Sequence, residues 1–174
     1  GAAIADRFQS QDTYLLLTGT DPAQVKDLNE KANPKERKYL SVDFLNGESL
    51  SEFTEFIRNL KRLDICINNA GINIIKDIDD VSESDFDRVT TVNYKAPYLI
   101  SQASASVMEN SWGGRIVNIG SIWSVSTKSG RTIYCAAKSG LDGMTKSMAT
   151  ELAPKNILVN CVSPGFVMTN LTRQ

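Results

Sequence analysis

The sequence predicts an α/β fold, a doubly wound parallel sheet with helices on its faces. Short apolar runs of strand length alternate with amphipathic segments of helix length, the pattern of consecutive βα units. The runs are mostly apolar, as in strands covered on both faces. Each run also ends in a small or polar cluster, which places those clusters on one rim, and open α/β sheets bind ligands at the carboxyl ends of their strands. No repeat, low-complexity tract or Pro/Gly-rich linker interrupts the series, so residues 1–174 read as one domain.

The strand-like runs are Tyr14 to Thr18, Lys38 to Val42, Leu63 to Ile67, Arg115 to Ile119 and Ile157 to Val162. Asp21 and Pro22 suit the N-cap and first turn of a helix reaching Ala32, with Val25, Leu28 and Ala32 at helical spacing. Glu48 to Leu60 carries a stripe of Leu50, Phe53, Phe56, Ile57 and Leu60. Ser82-x-x-Asp85 is a capping-box start, with Asp in place of the usual Glu, for a long helix reaching Glu109. A further helix holds Tyr134 to Leu152.

Nineteen basic against twenty acidic residues leave a net charge of −1, and 41% of the chain is hydrophobic. That balance asks for neither nucleic acid nor a membrane surface. No apolar run reaches the length of a bilayer span, and Gly1 to Phe8 lacks the regions of a signal peptide, so the chain reads as cytoplasmic. There is no histidine, which excludes a His-based triad, and the three cysteines Cys66, Cys135 and Cys161 are far apart, so no metal site is expected. The cysteines read as small buried hydrophobes.

The clusters at the strand ends are Thr18-Gly19-Thr20-Asp21, Asp43-Phe44, Asn68-Asn69-Ala70-Gly71, Gly120-Ser121 and Ser163-Pro164-Gly165. Tyr134 and Lys138 lie four apart on one helix face. An ammonium near a phenol favours the phenolate, which suits tyrosine to acid/base work near neutral pH. Taken alone, the pair reads equally as an exposed helical pair, Ser121 as a turn residue and Asn93 as a solvated helix position.

Taken together, Asn68-Asn69-Ala70-Gly71 after a strand, Asn93 in the long helix, Ser121 thirteen residues before Tyr134, Lys138, and Pro164-Gly165 after a later strand resemble the short-chain dehydrogenase/reductase family in order and spacing. The resemblance runs from Gly1 to Gln174 and implies a Rossmann-like core. It implies that Tyr134 is the general acid/base, that Ser121 hydrogen-bonds the substrate oxygen, and that Lys138 binds the nicotinamide ribose while tuning Tyr134. Asn93 would hold a water in the proton relay.

The cofactor contacts implied in the same way are Gly1, Thr18, Asp43, Phe44, Asn69, Ala70, Gly71, Tyr134, Lys138, Pro164, Gly165, Val167 and Thr169. Asp43 would reach the adenine. The second-strand end, Thr18-Gly19-Thr20, lacks the carboxylate that NAD enzymes use for the ribose hydroxyls, which favours NADP(H) over NAD(H), although Asp21 is near and no cation stands ready for a 2′-phosphate. Trp123, Lys128 and Arg131 fall between Ser121 and Tyr134 and read first as a solvated loop, with the alternative that the two cations meet an acidic substrate.

The chain departs from the family pattern at both ends. Gly1 and the residues to Phe8 resemble the last glycine of the family's glycine-rich loop and the helix behind it, with the preceding strand absent. The other end stops where the family's substrate lid begins. A core truncated at both ends is therefore expected, with the strands at Tyr14 and Leu63 lacking a shared partner.

The activity the resemblance implies is NAD(P)(H)-dependent interconversion of a ketone and a secondary alcohol, similar to 3-oxoacyl-carrier-protein reductases. A sugar-modifying reductase of a surface polysaccharide pathway or a catalytically silent nucleotide-binding relative is the alternative. The partner would be a small or carrier-bound carbonyl compound. A homodimer or homotetramer through the helices at Ser82 to Glu109 and Tyr134 to Leu152 is expected of the full-length protein.

Overall fold

The structure, a computed structural model, describes residues 1–9 and 11–167. It falls into two compact units, residues 1–53 and 54–174. Among the described residues the first unit holds α1 (Ala2–Gln9), β1 (Leu15–Gly19), α2 (Pro22–Lys31), β2 (Arg37–Ser41) and the start of α3 (Gly47–Arg58). The second holds β3 (Ile65–Asn68), α4 (Glu83–Thr90), α5 (Ala96–Glu109), β4 (Gly114–Ile119), α6 (Thr132–Leu152) and β5 (Ile157–Val162). The expected alternation of strands and helices is present, with strand bounds within about two residues of those read from the sequence.

In the first unit β1 and β2 form a parallel pair in the register Leu15 with Arg37 through Gly19 with Ser41. The crossover helix α2 is started by Asp21, whose Oδ1 accepts hydrogen bonds from the backbone N–H groups of Ala23 and Gln24, with Pro22 following at the first helical position. Two otherwise orphaned amides are satisfied by one carboxylate, which is why the helix begins there.

In the second unit β3, β4 and β5 form a parallel sheet with β4 central. β1 pairs with β2 and β3 with β4, so the two strands stand without a common partner among the described residues, as expected. One face of the three-stranded sheet is packed by α5 and α6, where Ala105, Met108, Ile116, Leu152, Ile157 and Val159 form a buried cluster. Each large aliphatic side chain buried this way contributes about 1.5–3 kcal/mol. The other face differs from expectation: Ile65, Leu158 and Val162 are exposed, so strands that read as covered on both sides are covered on one.

The long helix expected from Ser82 to Glu109 is interrupted. Its start is as read: Ser82 Oγ accepts from the Asp85 N–H, and the Asp85 carboxylate accepts from the Ser82 N–H, a reciprocal capping box. Asp85 also pairs with Lys76 at 2.6 Å. Thr91–Lys95 then forms a π-helical turn, in which the Ala96 N–H reaches back to the Thr91 carbonyl. Pro97 explains the break, because it has no N–H to offer the carbonyl of Asn93 four residues earlier.

A chain of buried amides and hydroxyls fixes the sheet to its helices. Asn68 and Asn118 are register partners on β3 and β4, and Asn68 Nδ2 donates to Asn118 Oδ1 at 2.7 Å and to Ser101 Oγ of α5 at 2.9 Å. Asn118 Nδ2 donates to Thr145 Oγ1 of α6 at 2.9 Å. Thr145 passes its own hydrogen to the Leu141 carbonyl. A satisfied network of this kind specifies one register, since any slip leaves polar groups buried without partners.

Candidate active site

The loops leaving β3, β4 and β5 meet at one end of the second unit's sheet. The Gly120 N–H donates to the Val162 carbonyl at 2.8 Å, and the Ile122 N–H donates to the Pro164 carbonyl at 3.0 Å, so the two loops after β4 and β5 are tied together. Gly120 is required by this approach: a Cβ there would lie 2.6 Å from Cys161 Sγ and 2.8 Å from Ser163 Oγ. Ser121, the next residue, is thereby held at the end of β4. It is buried, and its Oγ accepts from the Trp123 N–H at 3.2 Å to start a short 3₁₀ turn.

α6 supplies Tyr134 and Lys138 from one face of its first two turns. Tyr134 is buried with Val89, Ile133 and Ala137, against which Ile72, Ile74, Val81 and Trp123 pack. Burial pushes its phenol above the ordinary range, while a hydrogen bond with Ser121 and the charge of Arg131 pull the other way.

Lys138 Nζ lies 5.8 Å from the centre of the Tyr134 ring and donates to the Ile119 carbonyl at 2.7 Å. Burial pushes this ammonium down to about 8. Lys138 therefore stands beside the Tyr134 ring, and the nearby charge of Arg131 also favours the phenolate.

Asn93 is fully buried within the π turn. Its Nδ2 donates to the Ile72 carbonyl at 2.7 Å and its Oδ1 accepts from the Ile72 N–H at 3.1 Å. The side chain therefore clamps the segment that follows Asn69-Ala70-Gly71. Gly71 sits where these parts converge, since a Cβ on it would lie 2.9 Å from Asn93 Oδ1 and 3.7 Å from Lys138 Nζ.

Among the other residues singled out in the second unit, Asn69 and Ala70 are exposed at the end of β3, Pro164 is half-buried, and Gly165 and Val167 are exposed beyond β5. Nothing lies within 4 Å of a Cβ built on Gly165. Thr169 lies outside the described residues. The cysteines are less buried than expected, all three being intermediate, although burial pushes the Cys66 thiol up to about 11.

In the first unit, Gly1 accepts from the Ala5 N–H as the start of α1. Thr18 is exposed on β1. Asp43, beyond β2, accepts from the Leu45 N–H at 2.9 Å, and the Phe44 ring lies 6.3 Å from that of Phe53. Asp21, the carboxylate nearest the end of β1, is committed to capping α2.

Sequence reasoning missed three anchors: the Ile119 carbonyl under Lys138, the Ile72 backbone clamped by Asn93, and the Asn68–Asn118–Thr145 chain. Two of these left a signal. Asparagines within otherwise apolar strands mark a buried polar pair, and Pro97 four residues after Asn93 marks a broken helix.

The profile described as short chain dehydrogenase matches residues 1–174. The chain belongs to that family. Its short-chain dehydrogenase relatives include a 3-oxoacyl-(acyl-carrier-protein) reductase of Aquifex aeolicus, 38% identical over 99% of this chain and 71% of the relative. An NAD-dependent glycerol dehydrogenase of Listeria innocua is 31% identical over 100% of this chain and 68% of the relative. Among solved structures, a short-chain dehydrogenase from Sphingobium yanoikuyae in complex with NADPH superposes with a TM-score of 0.91 at 27% identity, over 98% of this chain and 68% of that one. As a short-chain dehydrogenase the chain is an oxidoreductase acting on CH–OH and C=O groups. Among the described residues no helix is long and apolar enough to cross a membrane.

Proposed function

We infer that the chain reduces a ketone to a secondary alcohol with NADPH, Tyr134 delivering the proton, and that its substrate is an acyl chain bearing a 3-oxo group. The observation that carries this reading is the convergence of Gly71, Asn93 and Lys138 beside the buried Ser121 and Tyr134. The absence of a side chain at Gly71 leaves a cradle lined by an amide oxygen and an ammonium, which fits the ribose of a dinucleotide. Asn69, Ala70, Gly71, Lys138, Pro164, Gly165 and Val167 would hold the cofactor from the second unit. Within the first unit, Gly1, Thr18, Asp43 and Phe44 are its candidate contacts.

When bound, a nicotinamide dinucleotide supplies or accepts a hydride at the carbonyl carbon. The chain's own residues do the rest. Tyr134, whose burial favours the protonated phenol, donates its proton to the oxygen that becomes the alcohol. Ser121 donates a hydrogen bond to the same oxygen as charge develops there. Lys138, fixed to Ile119, keeps a positive charge at the site below pH of about 8. Asn93 positions the Gly71 segment through Ile72 and, as part of the π turn, is our candidate for holding a relay water.

NADP(H) is favoured because the carboxylate nearest the end of β1, Asp21, is spent on the helix cap and does not stand ready for ribose hydroxyls. A polyhydroxylated substrate with NAD is the second reading, favoured by the similarity to the glycerol dehydrogenase. The test is to follow nicotinamide absorbance with 3-oxoacyl thioesters and with polyols, each with both cofactors. NADPH oxidation by the thioesters supports the first reading; NAD reduction by polyols alone replaces it with the second.

A further inference from the structure

We propose that Arg131, laid against the indole of Trp123 at the start of α6, selects substrates that carry a carboxylate a few bonds from the reacting carbonyl. The proposal rests on the reading that the chain reduces a 3-oxo group with NADPH, and narrows the preferred compound from the thioester to the free 3-oxo acid.

Arg131 is the N-cap residue of α6, three residues ahead of Tyr134. The guanidinium carbon lies 5.4 Å from the centre of the Trp123 ring. Trp123 in turn meets Phe166 edge to face, with centroids 5.9 Å apart and planes at 82°. The cation thus forms the end of a wall built on the two loops that frame Ser121, and its charge reaches the Tyr134 phenol.

The guanidinium is short of acceptors. Among the described residues no carboxylate forms an ion pair with Arg131, and its buried Nε has no hydrogen-bond partner. A planar fork of donors flanked by an aromatic face matches a carboxylate in both geometry and charge. The flanking indole also keeps water from one side, which strengthens the pairing. If Ser121 and Tyr134 hold the carbonyl oxygen, an anion held by Arg131, three residues ahead of Tyr134, lies a few bonds from that carbon.

The chain has two tryptophans, and Trp112 is 93% exposed, so a Trp112→Phe background leaves Trp123 as the only indole. In that background we would titrate acetoacetate and its methyl ester, following Trp123 fluorescence, and measure kcat/KM for both with NADPH. The acid is expected to change the fluorescence and the ester is not. In Arg131→Gln the acid-to-ester ratio of kcat/KM should fall tenfold or more, a loss of the size expected for a charge-assisted pair. Arg131→Lys, which keeps the charge and stem, should retain part of the ratio and guards against a folding defect.

An unchanged ratio in Arg131→Gln overturns the proposal, as does an acid-induced fluorescence change that survives the substitution. A fall in both substrates by the same factor also overturns it, because it shows tuning of Tyr134 without recognition. Fluorescence change that depends on Arg131, in a chain that turns over neither compound nor the 3-oxoacyl thioesters, supports the carboxylate site and refutes the reductase reading, so the two failures are distinguishable.

Discussion

Lys138 Nζ donates to the Ile119 carbonyl at 2.7 Å, which ties the buried ammonium of α6 to the end of β4 that delivers Ser121 two residues later. The position of the cation is therefore set by the strand as much as by its own helix. Burial lowers its folded pKa to about 8, whereas the unfolded lysine titrates near 10.4. Between those values the unfolded chain binds more protons than the folded one, so this residue makes stability rise with pH across that window. Below about 8 both states are charged and the contribution is flat. Denaturant unfolding of the parent and Lys138→Met at several pH values between 7 and 10.5 should show the parent gaining stability relative to the variant as pH rises, because the opposing slope of the raised Cys66 thiol is common to both. Equal slopes would mean that Lys138 is not held in a low-dielectric site.

Tyr134→Phe removes the hydroxyl and leaves the packing against Val89, Ile133 and Ala137 in place. Turnover should fall by about 10²–10⁴, the range for a positioned acid. NADPH affinity, read by cofactor fluorescence, should change little. Loss of both together would point to collapse of the site, and retained turnover would remove Tyr134 from the mechanism.

Gly71→Ala places a methyl 2.9 Å from Asn93 Oδ1. The amide has little room to retreat because Asn93 is fully buried and holds both backbone groups of Ile72. Overpacking of this sort costs about 1–3 kcal/mol. The expected result is a lower Tm together with weaker NADPH binding. A variant that binds NADPH as tightly as the parent would show that the cofactor does not use this cradle.

The parts of the structure legible in the sequence are those governed by local pattern. All five strand runs, the Ser82–Asp85 box and the Asp21 cap follow from apolar length and capping chemistry, which depend on a few neighbouring residues. The four candidate residues Asn93, Ser121, Tyr134 and Lys138 are singled out by the order and spacing that carry the family resemblance. Their partners are not, because Ile119 and Ile72 contribute backbone atoms, and a backbone carbonyl carries no residue signature. The exposed outer face at Ile65, Leu158 and Val162 escaped for a related reason: an apolar run reports the tendency to be buried and cannot say what does the burying.

Two glycines of α6 separate conformational cost from packing constraint on the helix that carries the acid/base pair. A Cβ on Gly143 meets nothing within 4 Å, and the position is exposed in the middle of a 21-residue helix. Gly143→Ala should therefore stabilise the chain by about 0.5–1 kcal/mol, because the unfolded state loses freedom that the helix never used. At Gly140 the added carbon would lie 3.3 Å from the Tyr94 ring, so the same substitution must push the ring aside and should give up that gain. Parallel urea titrations of the two variants measure the difference directly. If Gly140→Ala stabilised the chain as much as Gly143→Ala, the close packing of α6 on the π turn that holds Tyr94 and Asn93 would be wrong.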